Sequence, residues 1–205
     1  KVIPNFKTVL DTFLRHGEPG ILFFRMIKEY MDEVMTAHEK GKKICLGTFV
    51  TAKELFFAFD KVVPVWAETM TVFGTLAFKR GTAEYMDYCC EVGFTETSCS
   101  AQRGSIGAYL AGLAEKADFV VCTAAGICDT NANAVQFTSS YLDLPFFQCN
   151  FPARLTGKRI DDYHRKDYRA MIEFIEQQAG EKLREERLRE VLEETKRQDE
   201  LTIEL

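Results

Sequence analysis

The stretch Asp118-Phe119-Val120-Val121-Cys122-Thr123-Ala124-Ala125-Gly126-Ile127-Cys128-Asp129 decides the fold. Asp118 to Cys122 is the strongest strand signal in the chain. From Phe119 it is short and continuously apolar rather than alternating, as expected of a strand buried on both faces of a parallel sheet. Thr123-Ala-Ala-Gly126 is a loop of small residues, and residues Asp129 to Leu142 have helical spacing. Pro145-Phe-Phe-Gln-Cys149 is the next strand, running into Asn150-Phe-Pro152. Upstream, Gln102 to Lys116 and Tyr85 to Gly93 read as helices, and Val62-Val-Pro-Val65 as a strand. Ala52 to Phe59 reads as a helix, and Lys42-Lys-Ile-Cys-Leu-Gly47 as the first strand. Strands alternating with helices make βαβ units, whose right-handed crossovers place helices on both faces. The expected class is α/β: an open parallel sheet of Rossmann or flavodoxin type.

The flanks differ. Phe6 to His16 and Ile21 to Glu39 carry apolar residues at helical spacing, separated by Gly17-Glu18-Pro19-Gly20, a stop followed by a start. They predict a leading helical hairpin over residues 1–40, ahead of the sheet domain over 41–153. From Arg154 about half the residues are charged, and Tyr168, Met171, Ile172, Ile175, Leu183, Leu188, Val191 and Leu192 mark an amphipathic face. One long helix, or two broken near Gly180, is expected over 154–205, leading toward a second α/β domain outside this sequence. The opposite, charged face reads as solvated. If the chain is a piece of a larger protein, the face of Leu188, Val191, Leu192 and Leu201 covers an apolar seam or pairs with another copy.

The 205 residues carry a net charge of −5, with 46% hydrophobic residues. That balance excludes a disordered tail and disfavours a dedicated nucleic-acid binder. No apolar run reaches the roughly 20 residues a membrane span needs. A soluble, cytoplasmic protein is expected. Seven cysteines, an odd number with no export signal, argue against a disulfide framework. There is no Cys-x-x-Cys, so any metal chemistry draws on cysteines brought together by the fold.

In an open parallel sheet, ligands collect outside the carboxyl ends of the strands. Cys128 stands there, just before the helix from Asp129, and Cys99 stands just before the helix from Gln102. At a helix start the unpaired N–H groups and the dipole stabilise a thiolate, the form that a soft metal centre takes. The bland alternative is two buried, inert cysteines. Cys45, Cys122 and Cys149 lie within strands and read as core; of Cys89 and Cys90, one is core and one half-exposed. No nucleotide-binding glycine pattern and no nucleophile elbow is present. Glu54 is three residues past Thr51, a capping-box spacing. It also falls at the carboxyl end of the first strand, near the same crevice.

Thr51-Ala-Lys-Glu-Leu55 with Val63-Pro-Val65, then Ser98-Cys-Ser100 with Gly107, then Asp118-Phe-Val-Val121 with Cys128-Asp129, Leu144-Pro145 and Asn150-Phe-Pro152, together resemble the 2-hydroxyacyl-CoA dehydratase and benzoyl-CoA reductase family. The resemblance spans roughly residues 40 to 195, and Ala52 departs from it, standing where the family usually has proline. It implies an oxygen-sensitive subunit with a [4Fe-4S] cluster on three cysteines, of which Cys99 and Cys128 match two and the third lies outside this chain. Two thiolates alone leave such a cluster under-coordinated in this fragment. Glu54 matches a family glutamate that handles protons at the substrate. The implied reaction is loss of water from a 2-hydroxyacyl-CoA through a ketyl radical, after electron injection by a separate ATP-dependent iron–sulfur activator, beside a sister subunit of similar fold. Reduction of an aromatic acyl-CoA and a non-catalytic electron-relay role are the alternatives.

Overall fold

The computed structural model describes residues 6–49, 52–69, 82–112, 115–150 and 157–204. Four strands form one all-parallel sheet: β1 (Lys43–Gly47), β2 (Val62–Trp66), β3 (Phe119–Ala125) and β4 (Phe146–Asn150), in the order β2-β1-β3-β4. Cys45 lies opposite both Pro64 and Phe119, and Val120 opposite Phe146. The β3–β4 register shifts between Cys122 and Ala125. The order reverses between β1 and β3, because β1 hands the chain to one side and β3 to the other. In this architecture the crevice that takes ligands opens at that reversal.

Strand residues alternate between two cores. One face buries Ile44, Leu46, Val63, Val65, Val120 and Cys122 under α2 (Gly17–Met35), α5 (Ser100–Leu110) and α6 (Asp129–Leu142). The other buries Cys45, Val62, Phe119, Val121 and Cys149 under α3 (Lys53–Phe56) and α7 (Lys158–Ala179). Met171, Ile175 and Ala179 of α7 recur at helical spacing on this buried side, with Tyr168 and Ile172 packed beside them. Gly180, at φ +65, caps α7 in the left-handed conformation, and α8 (Glu185–Glu204) follows, so the break lies where the sequence placed it. The hairpin α1 (Phe6–Arg15) and α2 closes with Phe13 against Phe23 and Phe24.

Three boundaries differ from expectation. The Gly17–Gly20 break is narrower than expected: only His16 intervenes, and Pro19 sits in the first turn of α2, where its missing N–H costs nothing. The helix expected over Ala52–Phe59 is a single turn, Lys53–Phe56, beyond which Ala58 N bonds Leu55 O and Phe59 N bonds Phe56 O in tighter, three-residue turns. Its N-cap is Ala52, without a side-chain bond, so Glu54 stands one place earlier than a capping box requires; Thr51 lies outside the described residues. The helix expected to reach Lys116 stops at Leu110, since Gly112 takes φ +83. Phe151 and Pro152 also lie outside the described residues. On α8, Val191 is buried and Leu188 partly so, while Leu192 and Leu201 are exposed, so the expected four-residue face is split.

The amino end of the sheet is fastened by Asp118. Its carboxylate accepts from Ile44 N at 2.8 Å and Lys43 Nζ at 2.8 Å, and lies 3.0 Å from His38 Nε2. Burial works against its ionisation, but the bonds from Lys43, Ile44 and His38 outweigh burial and hold it below the usual carboxylate range.

Candidate functional site at the carboxyl edge of the sheet

Three helices start at this edge. Cys99 is the N-cap of α5 and Cys128 the N-cap of α6, and neither thiol makes a cap hydrogen bond. A serine or aspartate there would satisfy the first-turn N–H groups. Cysteine is a poor acceptor, so its presence at two caps on packed neighbouring helices calls for another explanation. Cys99 is exposed and Cys128 half-buried against the core under α6, which removes the buried-and-inert reading for Cys99.

Four of the remaining five cysteines behave as core. Burial raises the thiol of Cys45 well above its ordinary value, Cys89 to about 11 and Cys149 to about 12. Cys122 is fully buried and Cys90 half-exposed. Buried protonated thiols pack and do not ligate.

The Cys99 loop is held by Arg103. Its guanidinium donates to Glu96 O at 2.6 Å and reaches Met86 Sδ at 3.4 Å, and it makes no carboxylate pair among the described residues. Asp129 Oδ1 accepts from Gly126 N at 3.4 Å, closing the turn before Cys128. Residues 67–69 follow β2, and there Glu68 Oε1 accepts a hydrogen bond from Asn131 Nδ2 in the first turn of α6. Five buried polar atoms of these elements lack partners among the described residues: Glu68 Oε2, Asn131 Oδ1, Thr123 Oγ1, Gln102 Oε1 and Arg103 Nε. Glu68, Asn131 and Arg103 had no motif to mark them. Only the rule that ligands sit past strand ends could have pointed to Glu68.

Glu54 opens α3 after β1, half-buried, with no hydrogen bond or ion pair among the described residues. It lines a groove of about 320 Å³ with Lys53, Phe57, Arg187, Val191 and Glu194 between α3 and α8. It lies near enough to Tyr168 to add, after burial and the neighbouring Cys149 and Asp167, to the upward shift of that phenol. Glu54 therefore belongs to the α3–α8 side of the sheet and Cys128 to the α6 side, and no described contact joins Glu54 to either cysteine.

The donor chemistry fits an iron–sulfur group in part. Two accessible sulfurs at helix starts are suitable soft ligands, but no three His, Cys, Asp or Glu side chains converge among the described residues. No helix among them is long and apolar enough to cross a membrane.

No curated protein matches the chain at a significant level. A family model does, that of the 2-hydroxyglutaryl-CoA dehydratase D-component, over residues 48–205, a span that contains Glu54, Cys99 and Cys128. The chain therefore belongs to the 2-hydroxyglutaryl-CoA dehydratase D-component family.

Proposed function

We propose that this chain forms part of a 2-hydroxyacyl-CoA dehydratase in which Cys99 and Cys128 hold two corners of a [4Fe-4S] cluster and Glu54 carries a proton at the substrate. The observation that carries the reading is the pair of unbonded cysteine thiols at the N-caps of α5 and α6. Such a cluster, when bound, supplies a Lewis-acidic iron and a one-electron redox centre. A third thiolate comes from outside the described residues. The ketyl-radical route, an ATP-dependent activator on a separate chain and a sister subunit complete the proposal.

This chain's own part is positional and protonic. Cys99 and Cys128 stand at the N-termini of α5 and α6, where the positive ends of the helix dipoles would offset the charge of metal-bound thiolates. Arg103 fixes the loop that delivers Cys99. The overall reaction removes the 2-hydroxyl and a hydrogen from C3 of the acyl chain, giving an enoyl thioester and water. Glu54, without a hydrogen-bond partner among the described residues, takes the C3 proton or gives one to the departing hydroxide.

The test is turnover of a 2-hydroxyacyl-CoA to its enoyl-CoA by the protein with its sister subunit, activator and ATP. Glu54→Gln is expected to lower kcat by about 10²–10⁴-fold, the range for loss of a general acid–base, and to leave KM within a few-fold. Undiminished turnover in Glu54→Gln contradicts its role. Reduction of benzoyl-CoA without any dehydration replaces the proposed reaction with the aromatic alternative.

A further inference from the structure

The Glu68–Asn131 hydrogen bond joins two elements that are not neighbours in the sheet. Glu68 follows β2 and Asn131 lies behind β3, so the bond passes over the carboxyl end of β1, between them. Both flanks are anchored, since Ala67 and Ala132 are buried in the same core. Asn131 is 0% exposed, yet among the described residues its Oδ1 has no partner, and neither has the buried Oε2 of Glu68.

As a stabilising device this is a poor design. Two buried acceptors are left unsatisfied, and replacing both partners by apolar groups of similar shape is commonly neutral or stabilising. The bond therefore needs a purpose other than stability. Asn131 is the third helical residue after the N-cap Cys128, the position from which a polar side chain ordinarily reaches back to the cap backbone. Its amide is turned to Glu68 instead.

We propose that Glu68 and Asn131 are positioning residues for Cys128. Their bond clamps the first turn of α6 to the chain leaving β2 and so fixes where the Cys128 sulfur stands, without touching it. This rests on the reading of Cys128 as a thiolate ligand, and the test separates the two.

The test uses the full chain as wild type, Glu68→Gln, Glu68→Ala, Asn131→Ala and the double variant Glu68→Leu with Asn131→Leu. Iodoacetamide labelling of each cysteine is followed by peptide mass spectrometry under reducing, metal-free, non-denaturing conditions, with thermal unfolding alongside. Loss of the clamp is expected to speed labelling of Cys128 about fivefold, the factor for losing an interaction of helix-cap strength, with Cys99 unchanged. Glu68→Gln keeps an oxygen to accept the amide bond and labels like wild type. The double variant melts no lower than wild type while labelling like the single alanine variants. A Cys128 rate unchanged in the alanine variants overturns the clamp, and so does equal acceleration of Cys99 and Cys128, which marks general loosening. Iron retained after anaerobic reconstitution reads the other claim: faster Cys128 labelling with full iron keeps the clamp and removes Cys128 as a ligand.

Discussion

Asp118 shows at the scale of one residue how the two ends of the sheet divide their work. Three donors meet its carboxylate at the amino end, while at the carboxyl end buried acceptors stand without donors among the described residues. Because Asp118 titrates below its ordinary value of 3.8 in the folded chain, its contribution is complete above that value and is lost as pH falls through the folded-state pKa. Asp118→Asn keeps an acceptor for Ile44 N but loses the charge facing Lys43 and His38. It is expected to cost about 1–2 kcal/mol near neutrality and to flatten the fall in stability on the acid side. Urea unfolding from pH 7 to pH 3 checks this, and acid limbs that run parallel in both proteins contradict it. The cysteines were legible in the sequence because a strand, a small-residue loop and a helix start are all local signals. Glu68 and Asn131 were not, since 63 residues separate them and their contact depends on the strand order.

Among the elements, α5 carries Cys99 and depends on a close approach to α4 (Thr82–Glu91). A Cβ at Gly107 would stand 1.8 Å from Tyr85 O, so only glycine lets the two backbones meet. Gly107→Ala is expected to destabilise the fold by about 2–3 kcal/mol, as overpacking does. It should also move α5 enough to change the labelling rate of Cys99 relative to Cys128. A melting temperature equal to wild type removes the close approach as a determinant of this pairing. Strand positions were readable because parallel strands buried on both faces are short apolar runs. Helix ends were less so: Gly112 stops α5 early through a left-handed conformation, which glycine permits but does not announce. The chain after Phe56 likewise tightens into three-residue turns at Ala58 and Phe59, a change of hydrogen-bond pattern that helical spacing does not reveal.

In the whole molecule, a doubly covered parallel sheet with its order reversed between β1 and β3 brings the ends of β1, β2 and β3 to one edge. The family match covers that edge from Thr48 onward. The α5 and α6 starts supply the sulfurs, while Glu54 stands across the sheet in the groove under α8. On the proposed reading, a substrate reached by both Glu54 and the two cysteines spans this edge. The central claim is that two helix-cap cysteines, out of seven, are the metal ligands of this chain. It is tested most directly by iron and acid-labile sulfide content after anaerobic reconstitution of the protein with its full complement of cysteines. Wild type is compared with Cys99→Ala, Cys128→Ala and the buried control Cys45→Ala. The account predicts about four irons per protein in wild type and in the control, and loss of iron in Cys99→Ala and Cys128→Ala. Iron content that is indifferent to both cap substitutions contradicts it.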